Sequence, residues 1–209
     1  MTTDLFGHRS LADTGDRSAF DFYPTPAPFT RSLVYYVPEI AGSFVLECAS
    51  GDDAITEVLR DEFVCTVVTN DLDPGHPAQM KFDAAAKESW PFFALAAAMH
   101  DGQRQAFDWI ISNLPFNVAF PIVQHAVEHA RVGVAFLLRK TFLEPTEERG
   151  EWLSKHPPSR IIGLPRHNFR GEGVDSVPCD WMIWERHPNK AAYPIEIDYL
   201  AKERGKGSV

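Results

Sequence analysis

Short apolar runs that end in polar turns recur along the chain, and this pattern constrains the fold more than any other feature. The runs are residues 43–49 (SFVLECA), 64–69 (VCTVVT), 108–112 (DWIIS) and 132–138 (VGVAFLL). Helical spacing follows the first in residues 54–59 and the third in residues 120–131. A strand that is apolar along its whole length is covered on both faces, so these runs predict a parallel sheet between two helical layers. Residues 147–155 read as a further helix, and 160–164 and 179–185 (CDWMIWE) as late strands. No helix signal separates those last two. The polar, glycine-containing stretch 165–178 predicts a hairpin-like closing with an antiparallel strand. The expected architecture is a doubly wound α/β sandwich with a mixed edge.

The 209 residues fit one domain with a tail, and 44% hydrophobic content allows a sizeable core. Residues 1–19 are polar and aperiodic and read as a flexible tail. Residues 20–190 read as the domain and 191–209 as a C-terminal extension. Thr25-Pro26 reads as a helix N-cap followed by proline, opening a helix through Phe29, Leu33, Val34 and Val37. The longest apolar run, residues 90–99, contains Pro91 and is far short of the roughly 18–20 residues of a membrane helix. The N-terminus has no basic head before an apolar stretch, so no secretory signal is expected. The expectation is a soluble, cytoplasmic protein. Cys48, Cys65 and Cys179 form no CxxC pair, and no HExxH occurs, so neither disulfides nor a metal site is expected.

In a doubly wound sheet, ligands bind at the carboxyl ends of the strands. The first strand ends in Glu47-Cys48-Ala49-Ser50-Gly51-Asp52, the second in Asp71-Leu72-Asp73, and the third in Asn113-Leu114-Pro115-Phe116. Gly51 lets the backbone approach a ligand closely. A carboxylate after the second strand suits a ribose diol, because it accepts two hydroxyl hydrogen bonds. The turn is neither GxGxxG nor a phosphate-binding loop, and its acids repel a pyrophosphate. A cationic nucleoside without phosphates fits better.

These residues resemble the small, phage- or prophage-type S-adenosylmethionine-dependent DNA adenine-N6 methyltransferases, over residues 20–187. Tyr23-Pro24-Thr25-Pro26 resembles that family's N-terminal cofactor motif, and residues 45–55 (VLECASGDDAI) its glycine turn, LEPxAGxGxI. Asn113-Leu114-Pro115-Phe116 matches its [ND]-x-P-[FYW] catalytic motif, a variant of NPPF. Residues 165–173 (PRHNFRGEG) with 180–185 (DWMIWE) resemble its closing hairpin. The resemblance implies a Rossmann-like class I methyltransferase fold, a mostly parallel doubly wound sheet with an antiparallel edge strand. It implies S-adenosyl-L-methionine as cofactor, with Tyr23, Thr25 and Pro26 at its methionyl end and Glu47, Ala49 and Gly51 forming its turn. Asp71 would hold the ribose, Asp83 the adenine amino group, and Asn113 would border the cofactor as well as the target.

The catalytic motif also makes chemical sense by itself. The N6 amine of adenine is conjugated and a poor nucleophile. The Asn113 side-chain oxygen and the Leu114 carbonyl can each accept one N6–H and so localise its lone pair. Pro115 stiffens the turn and Phe116 can stack on the base. In-line attack on the sulfonium methyl then depends on positioning and electrostatics. The target base must be flipped from a duplex or start single-stranded.

The chain departs from the family pattern at Cys48, which replaces proline, at Asp53, which replaces glycine, and at Leu114, which replaces a frequent proline, among others. No block of about 80–150 residues is available as a target recognition domain, so a short recognition sequence or a recognition partner is expected. The formal charge of −9 predicts weak, salt-sensitive DNA binding. Eight basic residues against four acidic ones between Arg131 and Arg170 allow a basic face on an acidic body. Lys140, Arg166, His167, Phe169 and Arg170 are the expected nucleic-acid contacts. The alternatives are the same chemistry on RNA adenine or on protein glutamine, and a degenerate fold kept as a binding module.

Overall fold

The computed structural model describes residues 24–101, 106–144, 146–165, 178–187 and 195–197. A seven-stranded sheet in the order β2-β1-β3-β4-β6-β5-β7 forms the middle layer. Its strands are β1 (Phe44–Glu47), β2 (Thr66–Thr69), β3 (Trp109–Asn113), β4 (Gly133–Arg139), β5 (Arg160–Gly163), β6 (Cys179–Glu185) and β7 (Ile195–Ile197). β1 pairs in parallel with β2 and β3, and β3 with β4. The antiparallel strand is β6, set between β4 and β5 towards one end of the sheet. β7, which carried no sequence signal, pairs in parallel with β5. The class of fold expected from the alternating pattern is the one observed.

Strand alternation splits the core in two. Phe44, Leu46, Ile110, Phe136 and Trp184 face one layer, and Val45, Trp109, Ala135, Leu137 and Trp181 face the other. Trp181 and Trp184, three apart, therefore lie on opposite faces. Each indole is satisfied, the first donating to the Phe29 carbonyl at 2.8 Å and the second to the His156 carbonyl at 2.9 Å.

Helices α1 (Ala27–Tyr36) and α2 (Ala54–Asp61) cover the second face through Phe29, Leu33, Ile55 and Leu59. Thr25 does not cap α1, contrary to the sequence reading. Pro26 occupies that position and no side chain bonds the helix start. Helices α3 (Trp90–Asp101) and α4 (Ala119–His129) cover the first face, and α5 (Glu147–Lys155) adds Trp152 and Leu153 to it.

The sequence reading assigned no element to residues 74–105, where α3 lies. Trp90, Phe93 and Ala97 are buried at helical spacing, but Phe92, Leu95 and Met99 are exposed. A helix apolar on both sides loses its period, and Pro91 is a residue that breaks helix interiors. At the second helical position it is tolerated, because its missing N–H has no intrahelical acceptor.

His125 and His129 stand one turn apart on α4, an HxxxH spacing that the sequence reading overlooked when it expected none among the histidines. Here both rings pack near Trp90, and His129 Nδ1 lies 2.7 Å from the His125 carbonyl. All three cysteines are buried free thiols. Among the described residues no helix is long and apolar enough to cross a membrane.

Candidate active site

The carboxyl ends of β1, β2 and β3 open into one cleft of about 200 Å³. It is lined by Thr25, Glu47, Gly51, Asp71, Asp83 and Asn113 among others, so residues far apart in sequence meet there. Cys48, Ala49, Leu114, Pro115 and Phe116 also line it. Tyr23 lies outside the described residues.

Asp71 organises the turn. Its Oδ2 accepts the Gly51 N–H at 2.8 Å and its Oδ1 accepts the Asp73 N–H at 2.8 Å. A carboxylate has about four lone-pair sites, so capacity for a diol remains. Gly51 has φ 55° and Asp53 has φ 66°. The second value explains why glycine is frequent at that position in the resembled motif: the left-handed conformation disfavours residues with a Cβ.

Asn70, fully buried, was not singled out from the sequence. Its Nδ2 donates to the carbonyls of Cys48 and Phe82, both at 2.9 Å, and its Oδ1 accepts the Phe82 N–H at 2.8 Å. It ties the end of β1 to the segment carrying Phe82 and Asp83. Phe82 lines the cleft and stacks on Phe92, with ring centroids 5.0 Å apart. Leu72, His76 and Ile122 also line the cleft and were missed. The only local signal for these residues was their nearness to Asp71 or to an aromatic run.

Glu47 is 1% exposed and accepts a short hydrogen bond from the Thr56 hydroxyl. Burial holds its carboxyl pKa well above the ordinary glutamate range, against the opposing Thr56 bond. Asp83 is exposed at the rim, where its Oδ1 accepts the Ala85 N–H at 2.9 Å.

At the end of β3 the Ser112 hydroxyl donates to the Ala49 carbonyl at 2.9 Å, which pins the Asn113 turn to the Gly51 turn. Asn113 and Phe116 are half-buried and Leu114 is buried. The Arg139 guanidinium lies over the Phe116 ring, 4.0 Å from its centroid. Lys140 is exposed, and its Nζ sits 3.5 Å from Asp180 Oδ1. Arg166, His167, Phe169 and Arg170 lie outside the described residues.

Among the described residues the buried hydroxyls of Thr25 and Ser50 find no hydrogen-bond partner, and both residues line the cleft. Buried polar atoms are nearly always satisfied, so two orphan donors at one cleft indicate a ligand with acceptor groups. A carboxylate-bearing, cationic nucleoside meets that requirement: acceptors for the hydroxyls, a cation for Glu47, and a diol for Asp71.

No protein-family model matches the chain. The chain is 25% identical over 167 residues to the ribosomal RNA small subunit methyltransferase A of Pseudomonas aeruginosa, a match covering 72% of this chain and 57% of that one. Among solved structures it resembles the type I restriction-modification system methyltransferase subunit from Streptococcus thermophilus. That match has a TM-score of 0.62 and 15% identity, over 87% of this chain and 48% of the other. A dimethyladenosine transferase from Plasmodium falciparum superposes with a TM-score of 0.51 and 13% identity, over 78% of this chain and 62% of that one. The chain thus spans about half to three-fifths of the length of these relatives. Its fold is that of the class I S-adenosylmethionine-dependent methyltransferases.

Proposed function

We propose that this protein transfers a methyl group from S-adenosyl-L-methionine to the N6 amine of adenine in DNA, acting on a flipped or single-stranded base. The observation that carries the reading is the Asn113-Leu114-Pro115-Phe116 turn, which opens into the same cleft as the Asp71–Gly51 pair. A nucleoside cofactor and a target amine can meet there.

In that cleft S-adenosylmethionine supplies an electrophilic methyl on a sulfonium. The Thr25 and Ser50 hydroxyls donate to its carboxylate, Glu47 accepts from its ammonium, and Asp71 accepts from its ribose. Asp83 at the rim serves its adenine amine. The Asn113 Oδ1 and the Leu114 carbonyl each accept one N6–H of the target, which directs the N6 lone pair at the methyl. Phe116 stacks on the base. The N6–C bond would form as the sulfonium S–C bond breaks and the thioether leaves, and the cationic methylated amine would then lose its proton to water, so positioning suffices and no strong base is needed.

A second reading, adenine in RNA, is favoured by the 25% identity to a methyltransferase named for ribosomal RNA. Labelled methyl transfer to unmethylated DNA and to RNA, followed by nucleoside mass spectrometry, separates the two. N6-methyladenine from DNA with the wild type, and none with Asn113→Ala, supports the proposal. Product from RNA alone replaces it with the second reading. No product from either, with cofactor bound, overturns both.

A further inference from the structure

Seven arginines lie among the described residues, and six have polar partners. Arg31 pairs with Glu62 at 2.7 Å and Arg131 with Asp108 at 2.6 Å. Arg60, Arg149, Arg160 and Arg186 donate to backbone carbonyls. The seventh, Arg139, has none among the described residues. Its Nε is buried without a hydrogen bond. Asp180, next to the Cys179 that pairs with Arg139 across the sheet, is engaged by Lys140 Nζ at 3.5 Å and the Leu164 N–H at 3.1 Å. Arg139 makes one pronounced contact, the stack on Phe116 at the carboxyl end of β4.

A guanidinium is permanently charged, and its planar fork matches phosphate oxygens bidentately while its face stacks on an aromatic ring. Holding it half-buried with no counter-ion is unfavourable unless a partner arrives. A nucleotide whose base stacks on Phe116 carries its phosphates one sugar away, within reach of a guanidinium lying on the same ring.

We propose that Arg139 binds a backbone phosphate of the strand beside the target base, using its stack on Phe116 to hold the guanidinium in place. This rests on the reading of the chain as a nucleic-acid methyltransferase. It adds Arg139 to the expected contacts: the neighbouring Lys140 has an acid partner, and Arg139 has none among the described residues.

The test is a salt titration of binding to a fluorescent single-stranded DNA oligonucleotide containing one adenine, with the matching RNA as a second arm. The wild type, Arg139→Ala and Arg139→Lys are compared with cofactor present. One lost phosphate contact on a single strand should lower the log–log salt slope by about 0.7, which is about fivefold in affinity at 0.1 M salt. Arg139→Lys should restore the slope, and cofactor affinity should be the same in all three. If Arg139→Ala melts early, Arg139→Gln carries the same expectation. The strand showing the loss identifies the phosphate's source. Weaker binding with an unchanged slope, unrescued by lysine, would mean that Arg139 only supports the Phe116 ring and would overturn the inference while leaving the proposed function standing. A wild type that binds neither strand overturns both.

Discussion

The carboxylate of Asp71 accepts the backbone N–H of Gly51 at 2.8 Å, so the acid that ends the β2 segment holds the turn that ends β1. One side chain thus shapes the cleft and offers its remaining lone pairs to a ligand. Asp71→Ala should weaken cofactor binding by roughly tenfold or more and cost about 1–3 kcal/mol of stability. Asp71→Asn retains an acceptor for Gly51 and should recover most of the stability but not the affinity. Calorimetry and urea denaturation read the two effects separately. An unchanged dissociation constant in Asp71→Ala would assign the ribose to another residue.

Asn113→Ala removes the side-chain oxygen that the proposed function places on the target amine. Methyl transfer should fall by roughly 10²–10³, the usual loss for one preorganised polar group at a reacting centre. Cofactor affinity should stay close to that of the wild type. Equal loss of both would show that Asn113 serves the cofactor instead.

Glu47 prefers its proton in the folded state, because burial raises its pKa. The folded form binds this proton more tightly than the unfolded form, so the contribution of Glu47 to stability is fully present below the ordinary glutamate range, near pH ~4.3, and is lost as pH rises through it towards the raised folded value. Glu47→Gln should remove that decline and raise the melting temperature at neutral pH, while weakening cofactor binding. Parallel melting curves against pH for the two proteins would contradict this.

Gly133 opens β4 where a Cβ would stand 2.8 Å from both the Trp109 ring and the Trp184 carbonyl oxygen. One of these is a buried indole and the other is backbone, so neither yields cheaply. Gly133→Ala should cost about 1–3 kcal/mol, read as a lowered denaturation midpoint. A midpoint equal to the wild type would mean that β4 can shift.

Val64 holds φ 56° just before β2 while its residue is 79% exposed. A β-branched side chain is strained there and buries little in return. Val64→Asn should raise stability by about 1 kcal/mol, since asparagine tolerates the left-handed region. A lowered melting temperature would show that the valine makes a stabilising contact.

Much of the fold was legible because its signals are local. The runs that became β1, β3 and β4 are apolar along their length, and residues 147–155 carry a helical pattern that became α5. The apolar-both-sides α3 was illegible, since a period hidden on both faces carries no direction, and β7 is too short to announce itself. Among the residues that line the cleft, Gly51, Asp71 and Asn113 were visible because each lies at or just after the carboxyl end of a strand, and strand ends in a doubly wound sheet converge.

By itself, then, the sequence determined which segments become strands and which chemistry sits at their ends, because short-range patterning and turn composition decide both. Only tertiary structure decided that Asn70 bridges Cys48 to Phe82, that the Thr25 hydroxyl is buried without capping its helix, and that Lys140 has an acid partner while Arg139 has none among the described residues. Whether a polar atom finds a partner depends on what packing brings beside it.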